Sequence, residues 1–318
     1  MKTKFDADDL NLISLAKEYS NERKARKLFE SLRWPNGKPI CPHCKFDEIY
    51  KLVSKKESKT KLRAGVYCCA ACRKPFTATV GTAFESSHVP ISKILIATFI
   101  ICSSKKSVSA LQLSRMLKTT YRTAWFLAHR CRHAMATDLK TALPLANTVE
   151  ADETFCDGRN QYGRKDFKKT IVALIVECDG QARTRVIPSV TANNVGKFMR
   201  ECVLPFATVN TDEHPAYKVA LKENEQARHD RVNHSQYEYA RHNPDGTVSH
   251  VNTCESFFSL LKRGVFGSWH CVSREHLPKY ASEFEFRWNT RKESDGERMA
   301  TFLPLISGKR LMYRQPKN

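Results

Sequence analysis

The sequence contains no hydrophobic run long enough to cross a membrane. The longest largely apolar stretch, Ile94–Cys102, has nine residues, whereas a membrane-spanning helix needs about 20. The first eleven residues, MKTKFDADDLN, are charged and contain no apolar stretch of the kind that a secretory signal requires. We therefore expect a cytoplasmic protein that has no membrane partner.

Acidic residues are scarce relative to basic ones. The 318-residue chain has 33 Asp and Glu against 53 Lys and Arg, which gives a formal net charge of +20. Such an excess favours an anionic polymer as partner. Apolar residues make up 41% of the chain, which is enough for hydrophobic cores and excludes a disordered or collagen-like protein. The length favours more than one domain.

The chain has twelve cysteines, and without a secretory signal they indicate metal ligands or buried thiols rather than disulfides. Four of them form two C-x2-C pairs separated by 24 residues, which is the spacing of a zinc ribbon that binds one structural Zn²⁺. The predicted ligands are Cys41, Cys44, Cys69 and Cys72. Cys68, which adjoins the second pair, and His43 are alternative ligands.

Changes in composition and turn residues divide the chain into four predicted segments. Residues 1–35 form a helical lead-in, which ends at the turn Trp34-Pro-Asn-Gly37. Residues 36–85 form the zinc ribbon, and residues 90–142 form a helix-turn-helix region. Residues 146–318 form a further domain, in which the pattern changes to strands.

Two basic stretches favour DNA as the anionic partner. Residues 51–75 contain eight Lys or Arg and one acid, and residues 101–145 contain eight Lys or Arg and one Asp. Contacts from such residues to phosphates supply the sequence-independent part of DNA binding. Residues 107–117 and 121–135 are predicted helices joined by a three-residue turn, which is the helix-turn-helix pattern. Arg122, near the start of the second helix, is a predicted DNA-binding residue.

The last segment is predicted to mix strands and helices. Two β-rich runs, 170–177 and 182–190, flank Asp179-Gly180, and Asp-Gly between such runs is a strong signal for a hairpin. Residues 194–203 are predicted to form a helix. The expected fold class of this segment is therefore α/β.

Three acidic residues lie at the predicted ends of strands or near the start of a helix. Asp152 and Asp212 each end a predicted strand, and Glu255 lies in a predicted helix that covers about 252–263. Carboxylates from such positions are the ligands that a two-metal phosphoryl-transfer site requires. By spacing alone, each acid is more often a surface charge or a helix cap.

An ordered set of motifs extends over nearly the whole chain and resembles the zinc-ribbon DDE transposases of bacterial insertion sequences, the ISXO type. Beside the ribbon and Ala124-Trp125, the motifs are Val149–Thr154, Thr211–Tyr217, His250–Phe258, Leu261–Gly264, Trp269–Tyr280 and Glu283–Arg291. The resemblance implies that residues 146–318 form a catalytic domain with the ribonuclease-H-like fold.

The resemblance also implies the roles of particular residues. Asp152 and Asp212 correspond to the first two catalytic aspartates, which would bind Mg²⁺ or Mn²⁺. The third position in such transposases is glutamate or asparagine, so Glu255 and Asn252 are both candidates. Glu255 fits better because Lys262 follows it by seven residues, two helical turns along the same face. Lys262 and the adjacent Arg263 are expected to contact phosphates near the scissile bond.

The implied function is that of a DNA transposase in the bacterial nucleoid. It would bind the terminal inverted repeats of an insertion sequence, cleave the DNA there and transfer the freed strand into target DNA. Joining two transposon ends suggests a homo-oligomer on double-stranded DNA. Two alternatives are a catalytically silent zinc-ribbon DNA-binding regulator and a structure-specific nuclease of the same fold.

Overall fold

The computed structural model describes residues 10–53, 62–156, 170–222 and 228–313. Their contacts divide the chain into two units. The N-terminal unit consists of the described residues of 1–135 and 293–318, and the sheet unit consists of those of 136–292. Among the described residues, no helix is both long enough and apolar enough to cross a membrane.

The predicted helical lead-in contains two helices, α1 (Leu12–Tyr19) and α2 (Glu22–Arg33). Asn11 and Asn21 cap their N-termini, since each side chain accepts hydrogen bonds from two backbone N–H groups of the following turn. Glu22 also binds the start of α3 (Ile91–Ser103), where Ile91 N and Ser92 N donate to its carboxylate at 2.9 and 3.1 Å. The lead-in is therefore packed into the N-terminal unit.

The zinc-ribbon segment contains a three-stranded antiparallel sheet. Its strands are β1 (Ile49–Lys51), β2 (Val66–Cys69) and β3 (Pro75–Thr77), with β2 in the centre. Tyr67 on β2 stacks on Phe76 and meets Trp34 edge to face. All three rings are buried in this contact.

The helix-turn-helix pattern corresponds to α4 (Ala110–Leu117) and α5 (Tyr121–Met135), which pack on each other. Lys118 ends α4 in the left-handed conformation, with φ 48°, and its N–H and that of Thr119 bond back into the last turn of α4. This is the usual way in which a helix ends before a tight turn. Leu113, Leu117 and Ala124 are buried between the two helices and α3.

The C-terminal helix α10 (Asp295–Leu305) contacts α2, α3 and α5. It buries Met299, Phe302 and Leu303, so it completes the core of the N-terminal unit. The catalytic domain predicted from the sequence extended to residue 318, whereas residues from Glu293 onwards group with the N-terminal unit. Burial of this apolar helix face is the physical reason for the difference.

The sheet unit is built on a five-stranded sheet with the order β6-β5-β4-β7-β8. Its strands are β4 (Val149–Cys156), β5 (Thr170–Glu177), β6 (Ala182–Ile187), β7 (Thr208–Thr211) and β8 (Arg228–Arg231). β4, β5 and β6 form an antiparallel meander, and β7 and β8 continue the sheet in parallel from β4. This mixed α/β topology confirms the ribonuclease-H-like fold.

The hairpin predicted at Asp179-Gly180 joins β5 to β6, and Asp179 takes the left-handed conformation with φ 55°. β6 ends at Ile187, three residues earlier than predicted. Pro188 follows it, and proline lacks the N–H that a ladder hydrogen bond needs. A second, two-stranded sheet of β9 (Ala240–His242) and β10 (Val248–His250) precedes the helix that carries Glu255.

Helices cover both faces of the five-stranded sheet. Val149 and Ala151 of β4 belong to a core with α6 (Ala192–Cys202) and α7 (Pro215–Lys222). The opposite core contains Leu174 of β5 with α8 (Asn252–Arg263) and α9 (Leu277–Asn289). Because side chains alternate along a strand, Glu150 and Asp152 lie on the face that α8 covers.

Gly264, which ends α8 and begins a π-helical segment to Trp269, allows close packing on α9. A Cβ atom at this position would lie 2.5 Å from Cζ of Phe284 and 2.7 Å from its Cε2. We expect Gly264→Ala to lower the stability of the sheet unit by about 1–3 kcal/mol, as overpacking typically does. Thermal unfolding would show this as a lower midpoint, by about 2–4 °C per kcal/mol.

Gly267 in the same π-helical segment provides the matched control, because a Cβ there would meet no atom within 4 Å. Gly267→Ala is expected to leave the midpoint unchanged or to raise it, since alanine favours helical backbone over glycine. Equal midpoints for the two variants would contradict the packing explanation.

Candidate active site and zinc centre

The two C-x2-C pairs have the same local geometry. Cys41 N donates to Phe46 O, and Lys45 N donates back to Cys41 O at 3.0 Å. Cys69 N likewise donates to Lys74 O, and Arg73 N donates to Cys69 O at 3.0 Å. The residue after each pair, Lys45 or Arg73, is left-handed with φ 66° or 56°. Two such turns present their paired sulfur atoms toward each other.

The four cysteine sulfurs form a cluster whose geometry fits zinc. All lie within 4.8 Å of one another, and Sγ atoms are 3.6 Å apart for Cys41 and Cys72 and 3.5 Å apart for Cys44 and Cys69. Tetrahedral zinc with bonds of about 2.3 Å places sulfurs about 3.8 Å apart. Cys68 lies outside this cluster, on β2 opposite Tyr50 of β1. The residues present therefore fit Zn²⁺ and favour Cys69 over Cys68.

Asp152 lies on β4, and Asp212 directly follows β7, the neighbouring parallel strand. The register aligns Ala151 of β4 with Thr211 of β7, and the two aspartates are the next residue along each chain. Neighbouring strands are about 4.8 Å apart, so the pairing places the two aspartates close together. Asp152 does not end its strand as predicted: β4 continues to Cys156 along β5, while its pairing with β7 stops at Ala151.

Glu255 approaches this pair from α8, which crosses the same face of β4. Its backbone N donates to Val251 O, so it lies in the first turn of the helix. Asn252 begins the same helix, and both side chains are exposed. Asp212, from the end of β7, and Glu255, from α8, both lie near enough to Asp152 to act on it electrostatically.

The three carboxylates interact electrostatically. The pKa of Asp152 is raised to about 7, first because the group is buried and then because the charges of Asp212, Glu153 and Glu255 disfavour a further anion. A bound divalent cation would relieve this repulsion. Carboxylate oxygens are the ligands that Mg²⁺ and Mn²⁺ prefer, so the residues present fit such an ion.

Two further carboxylates flank Asp152 on β4. Glu153 points to the other face of the sheet, where its Oε2 accepts a hydrogen bond of 2.7 Å from the hydroxyl of the buried Tyr217. Glu150 is fully buried on the same face as Asp152. Neither residue was predicted from the sequence to have a role. The available signal for Glu150 was its position two residues before Asp152, which puts both acids on the same face of the strand.

Hydrogen bonds hold Asp212 and the neighbouring Thr211 in place. Oδ1 of Asp212 accepts a hydrogen bond of 3.0 Å from His214 N, which holds the carboxylate at the start of the loop after β7. Thr211 Oγ1 lies 2.9 Å from Nε2 of His229 on β8. Burial, followed by the charge of Arg231, lowers the pKa of His229 to about 4, so this imidazole is neutral near pH 7.

Lys262 and Arg263 lie in the last turn of α8 and are exposed. Glu255 and Lys262 are seven residues apart, which corresponds to about 10 Å along the helix axis. The side chains of Lys262 and Arg263 therefore lie farther along the α8 surface and are not part of the acidic trio.

A basic groove of about 370 Å³ lies between α2 and the ribbon. Its cationic lining residues are Arg23, Arg26, Lys27, Lys51 and Arg63. Glu30 is the single acid among the described lining residues. It lies beside Tyr67, whose pKa is raised to about 12 by burial and then by the charge and hydrogen bond of Glu30. Because Gly65, at φ +80°, has no side chain, the side chain of Arg26 can lie against the ribbon backbone.

Arg122 is exposed in the first turn of α5, while most of the later turns of this helix are buried. Its guanidinium lies 5.9 Å from the ring centroid of Tyr313. In helix-turn-helix proteins, the N-terminal residues of the second helix contact base edges. The exposed part of α5 is thus the part that this motif uses.

Comparisons with known proteins match both the ribbon segment and the sheet unit. Residues 144–289 match the family model of the ISXO2-like transposase domain, and residues 20–75 match that of the transposase zinc-ribbon domain. A relative from Halobacterium salinarum is 27% identical over 306 residues, which cover 90% of this chain and 97% of the relative. It is described as an uncharacterised protein in the transposable element ISH50.

The sulfur cluster predicts which cysteines are needed for zinc. We expect one zinc per chain in the purified protein and loss of that zinc in Cys41→Ser, Cys69→Ser or Cys72→Ser, because each removes one of four thiolate ligands. Metal content measured by atomic emission tests this. Cys68→Ser is the matched control and should retain full zinc. Retention of zinc in Cys69→Ser together with its loss in Cys68→Ser would reverse the assignment.

Proposed function

This chain belongs to the ISXO2-like transposases and carries their zinc ribbon, and from that premise we propose that it cleaves the ends of an insertion sequence and joins them to target DNA. The observation that carries the proposal is the convergence of Asp152, Asp212 and Glu255 on one face of a ribonuclease-H-like sheet. Two of these acids come from adjacent parallel strands and the third from a crossing helix.

The proposed reaction has two steps that use the same site. Water attacks a phosphodiester at the transposon end and breaks the bond from phosphorus to the 3′ oxygen, which leaves a 3′-OH. That 3′-OH then attacks a phosphodiester of target DNA and displaces another 3′ oxygen, so no covalent protein intermediate forms. Bound Mg²⁺ or Mn²⁺ would activate the attacking oxygen and stabilise the leaving one.

The residues of the chain would orient the reactants and balance their charge. Asp152, Asp212 and Glu255 would hold the cations, and Lys262 and Arg263 would bind phosphates along the α8 surface. Positioning and charge neutralisation of this kind account for most catalysis of phosphoryl transfer. Joining two ends in one event would also require at least two copies of the chain.

Glu255 is a better candidate than Asn252 for the third ligand. The negative charge of Glu255 contributes to the raised pKa of Asp152, which supports this choice. An amide oxygen also binds a hard divalent cation more weakly than a carboxylate does. Asn252 would then support the site from the start of α8.

We propose that DNA is bound through two surfaces of the N-terminal unit. The groove between α2 and the ribbon combines five cations with one acid that is already paired with Tyr67, which suits the phosphate backbone. Arg122 in the first turn of α5 would read bases of the inverted repeat. A DNA-binding regulator would need these surfaces but not the three acids, and a nuclease would need the acids but would not join strands.

The proposed ligand roles predict different losses of DNA cleavage in four variants. Asp152→Asn, Asp212→Asn and Glu255→Gln should each lower cleavage of a labelled inverted-repeat duplex in Mg²⁺ by orders of magnitude, because each removes a ligand charge. Asn252→Ala should retain measurable cleavage. Gel shifts would establish that DNA binding persists in all four variants.

The exposed Glu275, in the same unit, supplies a charge-matched control, and Glu275→Gln should cleave like the parent. If Asn252→Ala does not cleave the duplex and Glu255→Gln does, asparagine is the third ligand. If Asp152→Asn, Asp212→Asn and Glu255→Gln all cleave DNA as well as the parent does, the active site lies elsewhere.

The basic groove predicts a change in the salt dependence of DNA binding. Replacing Arg23 and Lys27 together by alanine should weaken binding to inverted-repeat and random duplexes equally. The slope of log affinity against log salt should become shallower by about 1.8, since each phosphate neutralised contributes about 0.9. Fluorescence anisotropy at several salt concentrations measures both quantities.

Lys24 is exposed on the same helix but does not line the groove, so Lys24→Ala is the matched control and should leave the slope nearly unchanged. Arg122→Ala should instead reduce the preference for the inverted repeat over random DNA. An unchanged slope in the Arg23 and Lys27 double variant would remove the groove from the DNA-binding surface.

A further inference from the structure

Glu150 is a fully buried carboxylate at the centre of the sheet unit. It lies on β4 between Val176 of β5 and Asn210 of β7, two residues before Asp152. A buried anion is unfavourable unless hydrogen bonds or opposite charges compensate it. The partners of Glu150 therefore indicate what it does.

Those partners belong mainly to the start of α8. Thr253 N and Cys254 N both donate to Oε2 of Glu150, at 2.8 and 3.1 Å. On the other side, Nδ1 of His250 lies 3.2 Å from Oε1, and Cys178 Sγ lies 3.8 Å from the same oxygen. The carboxylate thus bridges the central strand and the N-terminus of the helix.

The helix has no local substitute for this contact. Its N-cap residue is Val251, which has no side-chain hydrogen-bonding atom, and no side-chain cap is formed there. The first N–H groups of a helix need an acceptor, and a carboxylate also interacts favourably with the helix dipole at this end. Glu150, on β4, supplies both the hydrogen-bond acceptor and the carboxylate at this end of the helix.

We propose that Glu150 is a positioning residue that sets the distance between Glu255 and Asp152. One strand residue, Ala151, separates it from Asp152, and it binds the amide of Cys254, the residue immediately before Glu255. The inference rests on the proposed function, since it assigns Glu150 a part in assembling the acidic trio. In this role Glu150 would act through α8 and would not itself bind the cations or the DNA.

Two conservative variants separate positioning from a charge effect. Glu150→Gln keeps the length of the side chain, and its amide oxygen can accept both N–H groups, so metal affinity and cleavage should stay within a few-fold of the parent. Glu150→Asp keeps the charge but is one methylene shorter, so it should raise the Mn²⁺ dissociation constant and lower kcat by about 10–100-fold, as loss of a supporting contact to a metal site typically does. The KM for DNA should be unchanged in both.

Two measurements that do not depend on cleavage accompany the kinetics. Titration calorimetry with Mn²⁺ measures the dissociation constant directly, and hydrogen exchange at the amides of Thr253 and Cys254 reports the contact itself. Exchange should accelerate in Glu150→Asp and stay slow in Glu150→Gln. The reverse ranking, with aspartate like the parent and glutamine defective, would show that the charge of Glu150 matters instead of its reach.

Glu285 gives a control for general loss of stability. It is also almost fully buried in the sheet unit and accepts hydrogen bonds from Thr184 N and Oγ1, both at 2.7 Å, so it anchors α9 to β6. Glu285→Asp should lower the unfolding midpoint without changing the Mn²⁺ dissociation constant. If Glu150→Asp shifts this constant no more than Glu285→Asp does, the positioning role is wrong. If Asp152→Asn leaves cleavage and Mn²⁺ binding intact, the proposed function fails instead.

Discussion

The parallel pairing of β4 with β7 is the constraint on which the acidic site depends. It aligns Ala151 with Thr211 and so places Asp152 beside Asp212 at the point where the pairing ends. Burial, and then the like charges of Asp212, Glu153 and Glu255, raise the pKa of Asp152 to about 7. The fold therefore accumulates negative charge that a divalent cation would balance, and Glu255 from α8 increases it.

The sheet unit and the zinc ribbon obtain their stability in different ways. The sheet unit has an extensive apolar core on each face of the sheet. The ribbon has three short strands and a few aromatic rings, and a segment of this size gains much of its folding free energy from bound metal. Its cationic side chains can then remain exposed, since few of them are needed for packing.

Much of the site was predictable because its signals are local. Cys41 and Cys44 form one C-x2-C pair and Cys69 and Cys72 the other, and the spacing within each pair fixes the turn that gathers the sulfurs. The strand pattern before Asp212 likewise predicted an acid at a strand end. Glu150 was not predictable in this way, because its role depends on a helix about 100 residues later in the chain. A buried acid and an exposed one look alike in a single sequence.

The position of α10 and the length of β4 differ from the sequence predictions for a similar reason. α10 follows the sheet unit directly in the chain, yet its apolar face packs on helices at the other end of the sequence, and no local pattern indicates which core a helix joins. The extension of β4 beyond Asp152 depends on β5, whose ladder continues after β7 has ended. A long-range contact determines both the core that α10 joins and the residue at which β4 ends.

Strand transfer is the most direct test of the central claim that one acidic site both cuts and joins DNA. Purified protein would be incubated in Mg²⁺ with a labelled duplex from the DNA flanking the gene, already cut to expose its 3′-OH, and with a supercoiled plasmid. The account predicts labelled duplex joined to the plasmid, with no product from Asp152→Asn. Cleavage of uncut ends by the parent without any joined product would contradict the transposase mechanism and favour a nuclease.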